Sequence, residues 1–325
     1  MRENTIENFL NAQKHFAEAF YQSESMTPKQ KEEMLKTIAL AMHYEISEIV
    51  SSCNFKVFDK TDFSVDKNKI LYNNIDVFRY MLATMNLYDI KANHFIDAFH
   101  ERDLFLKIEN KIKKPKPDQK VVIVDIDDVI GDFRNYFNSW LKEKYNIHIP
   151  EDSTSYYSSK EVKDHGLSPE RVFEVFIEEN KLLDIPVLTE TVELLDNLRS
   201  QGIYIQLLTA RPDFNLKCKY QTYVWLNKNN IPFDNIDFAS EKYIWVAKKN
   251  YYIKGNVLFA IDDSPKHSME YATHDVKVLL PDLPYNQNAN HEYITRFNRN
   301  SLEFKTLLDN KLVWNKKCKF KNKKL

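Results

Sequence analysis

The sequence predicts an α/β domain built on a parallel β-sheet, preceded by an all-α helical domain. Three observations indicate this. Residues 1–110 carry their apolar side chains mostly at helical spacing, and residues 111–120 are rich in lysine and proline. From residue 121 onward, short apolar runs alternate with helical stretches. Strands that are apolar throughout and separated by helices are typical of a parallel sheet covered on both faces.

The composition is that of a globular protein without a strong charge bias. The 325 residues are 43% hydrophobic, and 46 basic residues nearly balance 47 acidic ones. This balance gives no general attraction to nucleic acid or to an anionic membrane. The three cysteines Cys53, Cys218 and Cys318 fit neither a zinc spacing nor a disulfide framework. The sequence has no signal-peptide core and no apolar run that could span a bilayer, so we expect a soluble, cytoplasmic protein.

Glycine is scarce, which excludes two common phosphate-binding loops. The chain has 4 glycines, and no two lie close enough to form GxGxxG or GxxxxGK. Both loops need several glycines for a close approach of the backbone to phosphate. The sequence therefore argues against a Rossmann dinucleotide loop and against a P-loop.

The first 110 residues are expected to form a helical domain. Thr27 is a predicted N-cap, with Pro28 at the first helical position. We expect helices over residues 6–20, 28–52, 68–87 and 92–110. The segment 111–120 then places two prolines among lysines, which predicts a linker.

The α/β domain is expected to cover residues 121–300. We predict strands over 121–126, 203–210, 257–263 and 276–280, helices over 133–145 and 215–229, and helical and loop segments over 150–200. Residues 301–325 are predicted to be a C-terminal helix and a basic tail, whose last eleven residues read "NKKCKFKNKKL". This tail predicts a solvated end or, alternatively, a nucleic-acid contact.

Polar residues end three of the predicted strands, at the edge where parallel α/β sheets bind ligands. A single aspartate after a strand is often a turn or cap residue, but three such strands with a lysine between them predict a site. The residues are Asp125 and Asp127 after the first strand, Thr209 at the end of the second, Lys242, and Asp262 and Asp263 after the third.

These residue types point to phosphoryl transfer. Several carboxylates in a small volume cannot all stay ionised without compensation, and a divalent cation supplies it. Oxygen ligands favour Mg²⁺, which attracts a phosphate. Lys242 and the Thr209 hydroxyl can hold phosphoryl oxygens while a carboxylate attacks phosphorus. Such a site works by positioning and electrostatics, without a glycine-rich loop.

The order DxD, Thr, Lys, DD resembles the haloacid dehalogenase (HAD) superfamily of phosphatases over about residues 121–286. In response-regulator receivers, which use similar residues, both acidic motifs precede the Thr and the Lys. The resemblance implies an α/β HAD-like (Rossmannoid) parallel sheet with a small helical cap over about 134–200. It also implies that Asp125 is the nucleophile and Asp127 the acid and base, while Thr209 and Lys242 bind the phosphoryl group.

The same resemblance implies a metal site. Asp262 would join Asp125 and the backbone carbonyl of Asp127 around Mg²⁺, and Asp263 would orient a metal-bound water. The spacing from the lysine to the DD pair is longer than in compact relatives. Lys248 or Lys249 is therefore an alternative to Lys242 as the phosphate lysine.

"DIDDVIGDF", "LLTARP", "IDDSPKH" and "PYN" look like the 5'(3')-deoxyribonucleotidase branch of that superfamily. This resemblance implies that Phe133 stacks on a nucleobase. We also expect Ala210 and Arg211 to contact the substrate, Arg211 through its phosphate. Asp128 stands where the branch has glycine. The aromatic residues of the expected cap either close over a base or form the cap's own core; they are Tyr156, Tyr157, Phe173 and Phe176.

The helical domain carries a second group of acids. Glu45 and Glu48 share one helical face in "HYEISEIV", and Asp76 follows on another helix. An ExxE helix before an ExxD helix resembles the all-α dUTPase/MazG nucleotide pyrophosphatases, although Asn73 replaces the first acid of ExxD. The resemblance implies a Mg²⁺ site that cleaves a nucleoside triphosphate to monophosphate and pyrophosphate. A non-catalytic nucleotide-binding or dimerisation module and an unrelated helical bundle are the alternatives.

The sequence as a whole predicts a Mg²⁺-dependent phosphatase that hydrolyses (deoxy)nucleoside monophosphates through an aspartyl-phosphate. An active helical domain would make its substrate from dUTP or a related triphosphate. A homodimer through the N-terminal helices is implied by resemblance. The alternatives are a phosphatase for another small phosphoester, a phosphatase for nucleic-acid ends and a non-enzymatic scaffold.

Overall fold

The computed structural model describes residues 3–18, 25–52, 65–110, 112, 114–155, 159–248 and 256–298. Some predictions fall outside these ranges: Cys53, Cys318, Tyr156, Tyr157, Lys249 and the C-terminal helix and tail at 301–325. The chain divides into two compact units, residues 1–100 and 101–325. None of the described helices combines the length and apolar character that crossing a bilayer requires.

The predicted N-terminal helices are present, and the helical unit holds the first three and the first half of the fourth. They are α1 (Glu3–Glu18), α2 (Pro28–Ser51), α3 (Lys67–Leu87) and α4 (Ala92–Glu109). The predicted start of α2 is confirmed, because the Thr27 side chain accepts from the Gln30 N–H and Gln30 caps the Thr27 N–H in return. Asp66 caps α3 through its side chain, which accepts from the two N–H groups of residues 68 and 69.

Helix α3 is the centre of the helical unit because it packs against both α1 and α2. One of its apolar faces contributes Leu82 and Met85 to a cluster with α1, and the other contributes Ala83 and Leu87 to a cluster with α2. The unit ends at His100, inside α4, and not at the predicted boundary of residue 110. The difference arises because the second half of α4 belongs to the core of the α/β unit.

The α/β unit is built on a six-stranded parallel sheet, which confirms the predicted fold class. The strand order is β3-β2-β1-β4-β5-β6. The strands are β1 (Val121–Val124), β2 (Tyr204–Thr209), β3 (Asn235–Phe238), β4 (Val257–Ile261), β5 (Val278–Pro281) and β6 (Ile294–Phe297). The sequence did not predict β3 and β6, the two edge strands, because each is only partly buried and lacks an apolar run.

Helices cover both faces of the sheet. They are α5 (Phe133–Tyr145), α8 (Thr189–Ser200), α9 (Leu216–Lys228), α10 (Lys242–Lys248) and α11 (Pro265–Thr273). Two further helices, α6 (Ser159–Asp164) and α7 (Pro169–Glu178), lie between α5 and α8 in the chain. Alternate residues of β1 face opposite sides, because side chains alternate along a strand. Val122 and Val124 join the core with α5, α8 and α9, whereas Val121 and Ile123 join the core with α10 and α11.

Two features of this topology position the site. The strand order reverses between β1 and β4, and ligands of open α/β sheets bind at such a switch point. The segment between α5 and α8, residues 146–188, forms the cap and carries the short helices α6 and α7. The core of the cap is apolar, with Val162, Val172 and Phe176 almost completely buried.

Candidate functional site

Asp125 and Asp262 follow two neighbouring strands at the switch point. The Asp125 N–H donates to the carbonyl of Ile261 at 2.9 Å, and the Asp262 N–H donates to the carbonyl of Leu279 at 3.3 Å. These backbone bonds continue the sheet ladder for one residue past β1 and β4. The two aspartate side chains therefore leave the same edge of the sheet, as the sequence predicted.

Lys242 lies between these two aspartates. Its Nζ is 2.8 Å from the Asp125 Oδ2 and 2.8 Å from the Asp262 Oδ2, and its side chain is fully buried. Lys242 is the first residue of α10, whereas Lys248 is exposed at the end of the same helix. Of the candidate phosphate lysines in the described residues, the structure brings Lys242 into the site and not Lys248.

Asp263 completes a group of three carboxylates that could hold a metal ion. One oxygen from each of Asp125, Asp262 and Asp263 lies within 4.8 Å of the others. The Asp263 Oδ1 is buried without a hydrogen-bond partner, while its Oδ2 accepts from the Tyr285 hydroxyl. A buried oxygen without a donor suits a cation ligand, and three carboxylates match the preference of Mg²⁺. Asp263 thus offers a third carboxylate oxygen beside those of Asp125 and Asp262.

Burial dominates the electrostatics of the group. It raises the pKa of Asp125 to about 6, although the neighbouring Lys242 ammonium opposes this shift. Burial also raises the pKa of Asp263 well above its ordinary value, and Asp125 raises it further. For Lys242, burial alone would lower the pKa, but the two aspartates outweigh it and raise the pKa. Such a site favours a bound cation, because a cation stabilises the ionised carboxylates.

The carboxylate of Asp127 is bound by Arg211. The Arg211 Nε and Nη2 donate to the two carboxylate oxygens of Asp127 at 2.9 Å and 2.7 Å. A third nitrogen, Nη1, donates to the Thr222 hydroxyl at 2.9 Å. The sequence predicted Arg211 as a phosphate contact, but the structure directs this guanidinium to Asp127. Such a bidentate pair fixes the orientation of the carboxylate.

Thr209 and Ala210 lie at the end of β2, beside β1 in the sheet. Thr209 is fully buried, and its hydroxyl accepts from the Arg211 N–H at 3.2 Å. Ala210 is exposed. The structure therefore places Thr209 at the sheet edge that also carries Asp125, as predicted.

Phe133 belongs to an aromatic cluster between α5 and the cap. Its ring is 3% exposed and stacks on Phe137 at 5.2 Å between ring centroids. The rings of Phe176 and Phe173 contact Phe133 edge to face, at 5.8 Å and 6.2 Å. Phe176 is fully buried, which supports the interpretation that it belongs to the cap core, and Phe173 is half-buried.

Sequence reasoning assigned no role to several residues that support the site. Asp128 has a φ of 56°, a left-handed conformation that favours glycine and that aspartate tolerates. Its carboxylate accepts from the Arg134 N–H and from the Tyr285 hydroxyl. The Asn286 side chain donates to the Asp263 carbonyl at 3.0 Å and so holds that loop in place. The "PYN" motif was the sequence signal for Tyr285 and Asn286. The only sequence signal for Arg134 was its position at the start of a predicted helix.

The acids of the helical unit do not converge in the same way. Within the described residues, the group of Asp125, Asp262 and Asp263 is the one set of three acids close enough to hold a metal, so Glu45, Glu48 and Asp76 form no such set. Glu48 pairs with Lys69 at 2.8 Å. The side-chain nitrogen of Asn73 is buried without a partner. Among the described residues, the structure therefore does not bring the three acids of the predicted N-terminal site together.

Comparison with solved structures returns proteins that match the chain at low similarity. One is a predicted phosphatase from Clostridium acetobutylicum, with 16% identity and a TM-score of 0.42 over 59% of this chain and 99% of that one. Another is the CbbY protein from Rhodobacter sphaeroides in complex with phosphate, with 15% identity and a TM-score of 0.37 over 55% of this chain and 92% of that one. A third is a hydrolase from Streptococcus pneumoniae, with 17% identity and a TM-score of 0.30 over 59% of this chain and 99% of that one. At these values the likenesses carry no functional argument. A search among curated proteins finds no match.

The family comparison covers more than half of the chain. The sequence model that matches is described as 5' nucleotidase, deoxy (pyrimidine), cytosolic type C protein, and it spans residues 119–300. That span contains the whole sheet and every residue of the switch-point site. The chain thus belongs to the 5' nucleotidase, deoxy (pyrimidine), cytosolic type C family and is a phosphoric monoester hydrolase of the 5'-nucleotidase type.

Proposed function

We propose that the α/β unit hydrolyses (deoxy)nucleoside monophosphates to nucleosides and inorganic phosphate, with Mg²⁺ as cofactor. The observation that carries this proposal is the buried Lys242 ammonium, 2.8 Å from both Asp125 and Asp262 at the switch point. A carboxylate and an ammonium held together at this edge can attack and stabilise a phosphoryl group. The family match supports a nucleoside as the leaving group.

The chemistry has two steps. A carboxylate oxygen of Asp125 attacks phosphorus, the bond from phosphorus to the nucleoside oxygen breaks, and protonated Asp127 gives its proton to that oxygen. Water then attacks the phosphorus of the aspartyl-phosphate while Asp127, now a carboxylate, takes the proton from the water. Phosphate leaves, and Asp125 is restored. Splitting the reaction in this way replaces one difficult displacement by two easier ones.

Lys242 and Thr209 stabilise the charge that moves in these steps. The ammonium neutralises phosphoryl oxygens in a site without bulk water, where electrostatic interactions are strong. The Thr209 hydroxyl is held at the edge of β2 and can donate to a further oxygen. Asp125, Asp262 and Asp263 would hold Mg²⁺, which supplies positive charge that offsets the carboxylates and the phosphate.

We assign Arg211 a positioning role toward Asp127. Three of its nitrogens already donate to Asp127 and Thr222, so a contact with the phosphate would break these bonds. Both Asp127 oxygens accept from Arg211 in this arrangement, so the pair must open before Asp127 can carry a proton and deliver it. Asp127, the acid and base of the reaction in this proposal, lies in the loop after β1. Helix α9 helps to hold it, because Thr222 binds Arg211 and Arg211 binds Asp127.

The predicted stacking of Phe133 on a base requires the cap to move. The ring is 3% exposed and lies against Phe137, Phe173 and Phe176, so no base has access to its face in this arrangement. A cap that swings away from α5 would uncover the ring, and closure would exclude water from the site.

The proposal is tested by phosphate release from 5'- and 3'-(deoxy)nucleoside monophosphates with Mg²⁺, next to phenyl phosphate. We expect turnover that needs Mg²⁺, is absent in Asp125→Asn and is faster for deoxynucleotides than for phenyl phosphate. Equal turnover of phenyl phosphate would remove the nucleotidase assignment and keep the phosphatase. No turnover of any substrate would reject the proposal.

The coupling to an N-terminal dUTP pyrophosphatase stays a prediction, as does a homodimer through the helical unit. Purified full-length protein supplied with dUTP would release both pyrophosphate and orthophosphate if the two reactions run in series. Release of orthophosphate from dUMP but of no pyrophosphate from dUTP would leave the helical unit a binding or dimerisation module. Sedimentation of the intact chain decides whether it is a dimer.

A further inference from the structure

Arg134 is a buried arginine beside the site that lacks the usual neutralising partner. It is the second residue of α5, and 7% of its surface is exposed. Its Nη1 has no hydrogen-bond partner, and among the described residues no carboxylate oxygen lies within 4.0 Å of its guanidinium nitrogens. Buried guanidinium groups are normally paired, because an unsatisfied buried donor costs free energy.

The rest of the Arg134 side chain is held rigidly. Its Nη2 donates to the Ser153 carbonyl at 2.8 Å, and its guanidinium carbon lies 5.2 Å from the centre of the Tyr285 ring. The Tyr285 hydroxyl in turn donates to Asp263. One aromatic ring therefore separates Arg134 from the three carboxylates that would hold Mg²⁺. Rigid placement of a donor without a partner, next to a reaction site, is typical of a group that binds a ligand.

A matching acceptor lies on the other side of Ser153. The Ser153 hydroxyl donates to the Glu161 Oε1, and the Glu161 Oε2 is buried without a hydrogen-bond partner. Residue 153 of the cap is thus flanked by an unsatisfied donor and an unsatisfied acceptor. The edge of a nucleobase carries a donor next to an acceptor and can satisfy both groups.

We propose that Arg134, together with Glu161, binds the nucleobase edge of the leaving nucleoside and so sets the preference of the enzyme for nucleotides. This inference rests on the proposed nucleotidase function. It assigns leaving-group recognition to the contact between α5 and the cap, at a distance from the groups that bind phosphate. The phosphate itself stays with Lys242 and Thr209.

The test compares three substrates and three variants. Phenyl phosphate has no base and no sugar, deoxyribose 5-phosphate has the sugar alone, and dUMP has both. Arg134→Met removes the donor and the charge, Arg134→Lys keeps the charge, and Arg171→Met is the control. Arg171 is an exposed cap arginine paired with Glu174 and Glu178 on its own helix.

We expect Arg134→Met to lower kcat/KM for dUMP on the order of 10- to 100-fold, mainly through KM, as loss of a charged buried hydrogen bond implies. Turnover of phenyl phosphate and deoxyribose 5-phosphate should fall by a much smaller factor. Arg134→Lys should give an intermediate loss on dUMP, because a lysine cannot reproduce the guanidinium fork. Arg171→Met should behave like the wild type on all three substrates.

Three outcomes would overturn the inference. An equal loss on phenyl phosphate, in both Arg134 variants, would show that Arg134 supports the fold or the phosphate. An equal loss on deoxyribose 5-phosphate would move the contact to the sugar. Undiminished selectivity for dUMP in Arg134→Met would reject the contact while leaving the nucleotidase function intact. If the wild type itself shows no preference for dUMP over phenyl phosphate, the inference and the proposed function fail together.

Discussion

The acids of the α/β unit and those of the helical unit look alike in sequence but behave differently in the structure. Asp125 and Asp262 share one fully buried ammonium. Glu48 pairs instead with Lys69, and both side chains keep about a third of their surface in water, 34% and 38%. Water screens the pair of Glu48 and Lys69 but not the buried group of Asp125, Asp262 and Lys242. Burial and neighbouring charges therefore shift the pKa values within the buried group. Similar carboxylate motifs thus become a reactive site only where the fold excludes water.

The origin of that difference is backbone geometry. Parallel strands end at one edge, so residues far apart in sequence, such as 125 and 262, meet there. Two packed helices instead present their acids on faces whose relative rotation depends on side-chain packing. A helical ExxE pattern therefore fixes which residues share a face, but not whether two helices bring their acids together.

The largest effect is expected from removal of the nucleophile. Asp125→Asn should reduce phosphate release on the order of 10⁴-fold or more, because no other group can form the covalent intermediate. Steady-state phosphate assays measure this, with circular dichroism to show that the variant folds. Asp196→Asn, at an exposed position on α8, is the control and should retain full activity. Activity preserved in Asp125→Asn would reject Asp125 as the nucleophile.

Removal of the shared ammonium should be the next largest effect. Lys242→Met leaves two buried carboxylates without their cation, which costs about 3–5 kcal/mol of unfolding free energy and abolishes most activity. Urea unfolding of the metal-free protein measures the loss. Lys248→Met on the same helix is exposed and should change neither quantity. Equal stability of the two variants would show that the Lys242 ammonium does not hold the two aspartates together by its charge.

Magnesium should stabilise the α/β unit and restore activity after chelation. At a hundredfold excess over Kd, a cation that binds only the folded state adds about 2.7 kcal/mol. Thermal unfolding with EDTA and with added Mg²⁺ measures this shift. Asp263→Asn lacks one negative ligand and should show a smaller shift at the same concentration. A shift as large as that of the wild type would place Asp263 outside the metal site.

The metal-free protein should become less stable as the pH rises from about 4 to about 6. Burial raises the pKa of Asp125 from 3.8 to about 6, so in this window the folded state keeps a proton that the unfolded state has lost. Stability falls with pH wherever the folded state binds more protons. Melting curves in EDTA across this range test the sign. Mg²⁺ should reduce the fall, because it stabilises the ionised carboxylates.

The smallest effect should come from the helical unit. Glu48→Gln breaks an ion pair that water already screens, so neither the melting temperature nor phosphate release from dUMP should change measurably. Lys36→Gln, at another exposed ion pair of α2, serves as the comparison. A loss of pyrophosphate release from dUTP in Glu48→Gln alone would instead give this acid a catalytic role and end the contrast between the two units.

The fold was predictable where the chain buries continuous apolar segments. The central strands β1, β2 and β4 are buried along most of their length and were predicted. The edge strands β3 and β6 are mostly half-buried and lack an apolar run, so the sequence did not predict them. The site residues Asp125 and Asp262 were predictable because parallel strands end together. The direction of the Arg211 side chain was not, since it depends on packing against α9 that no local pattern encodes.

The left-handed conformation of Asp128 has a consequence for the cation that the site attracts. A glycine would adopt this φ without strain, but it would also remove a fully buried carboxylate that bonds to Tyr285 beside Asp263. Asp128 adds a fourth buried carboxylate near Asp125, Asp262 and Asp263, and Lys242 alone does not balance this negative charge. Such a site should discriminate by charge, holding divalent ions and releasing potassium or sodium at cellular concentrations.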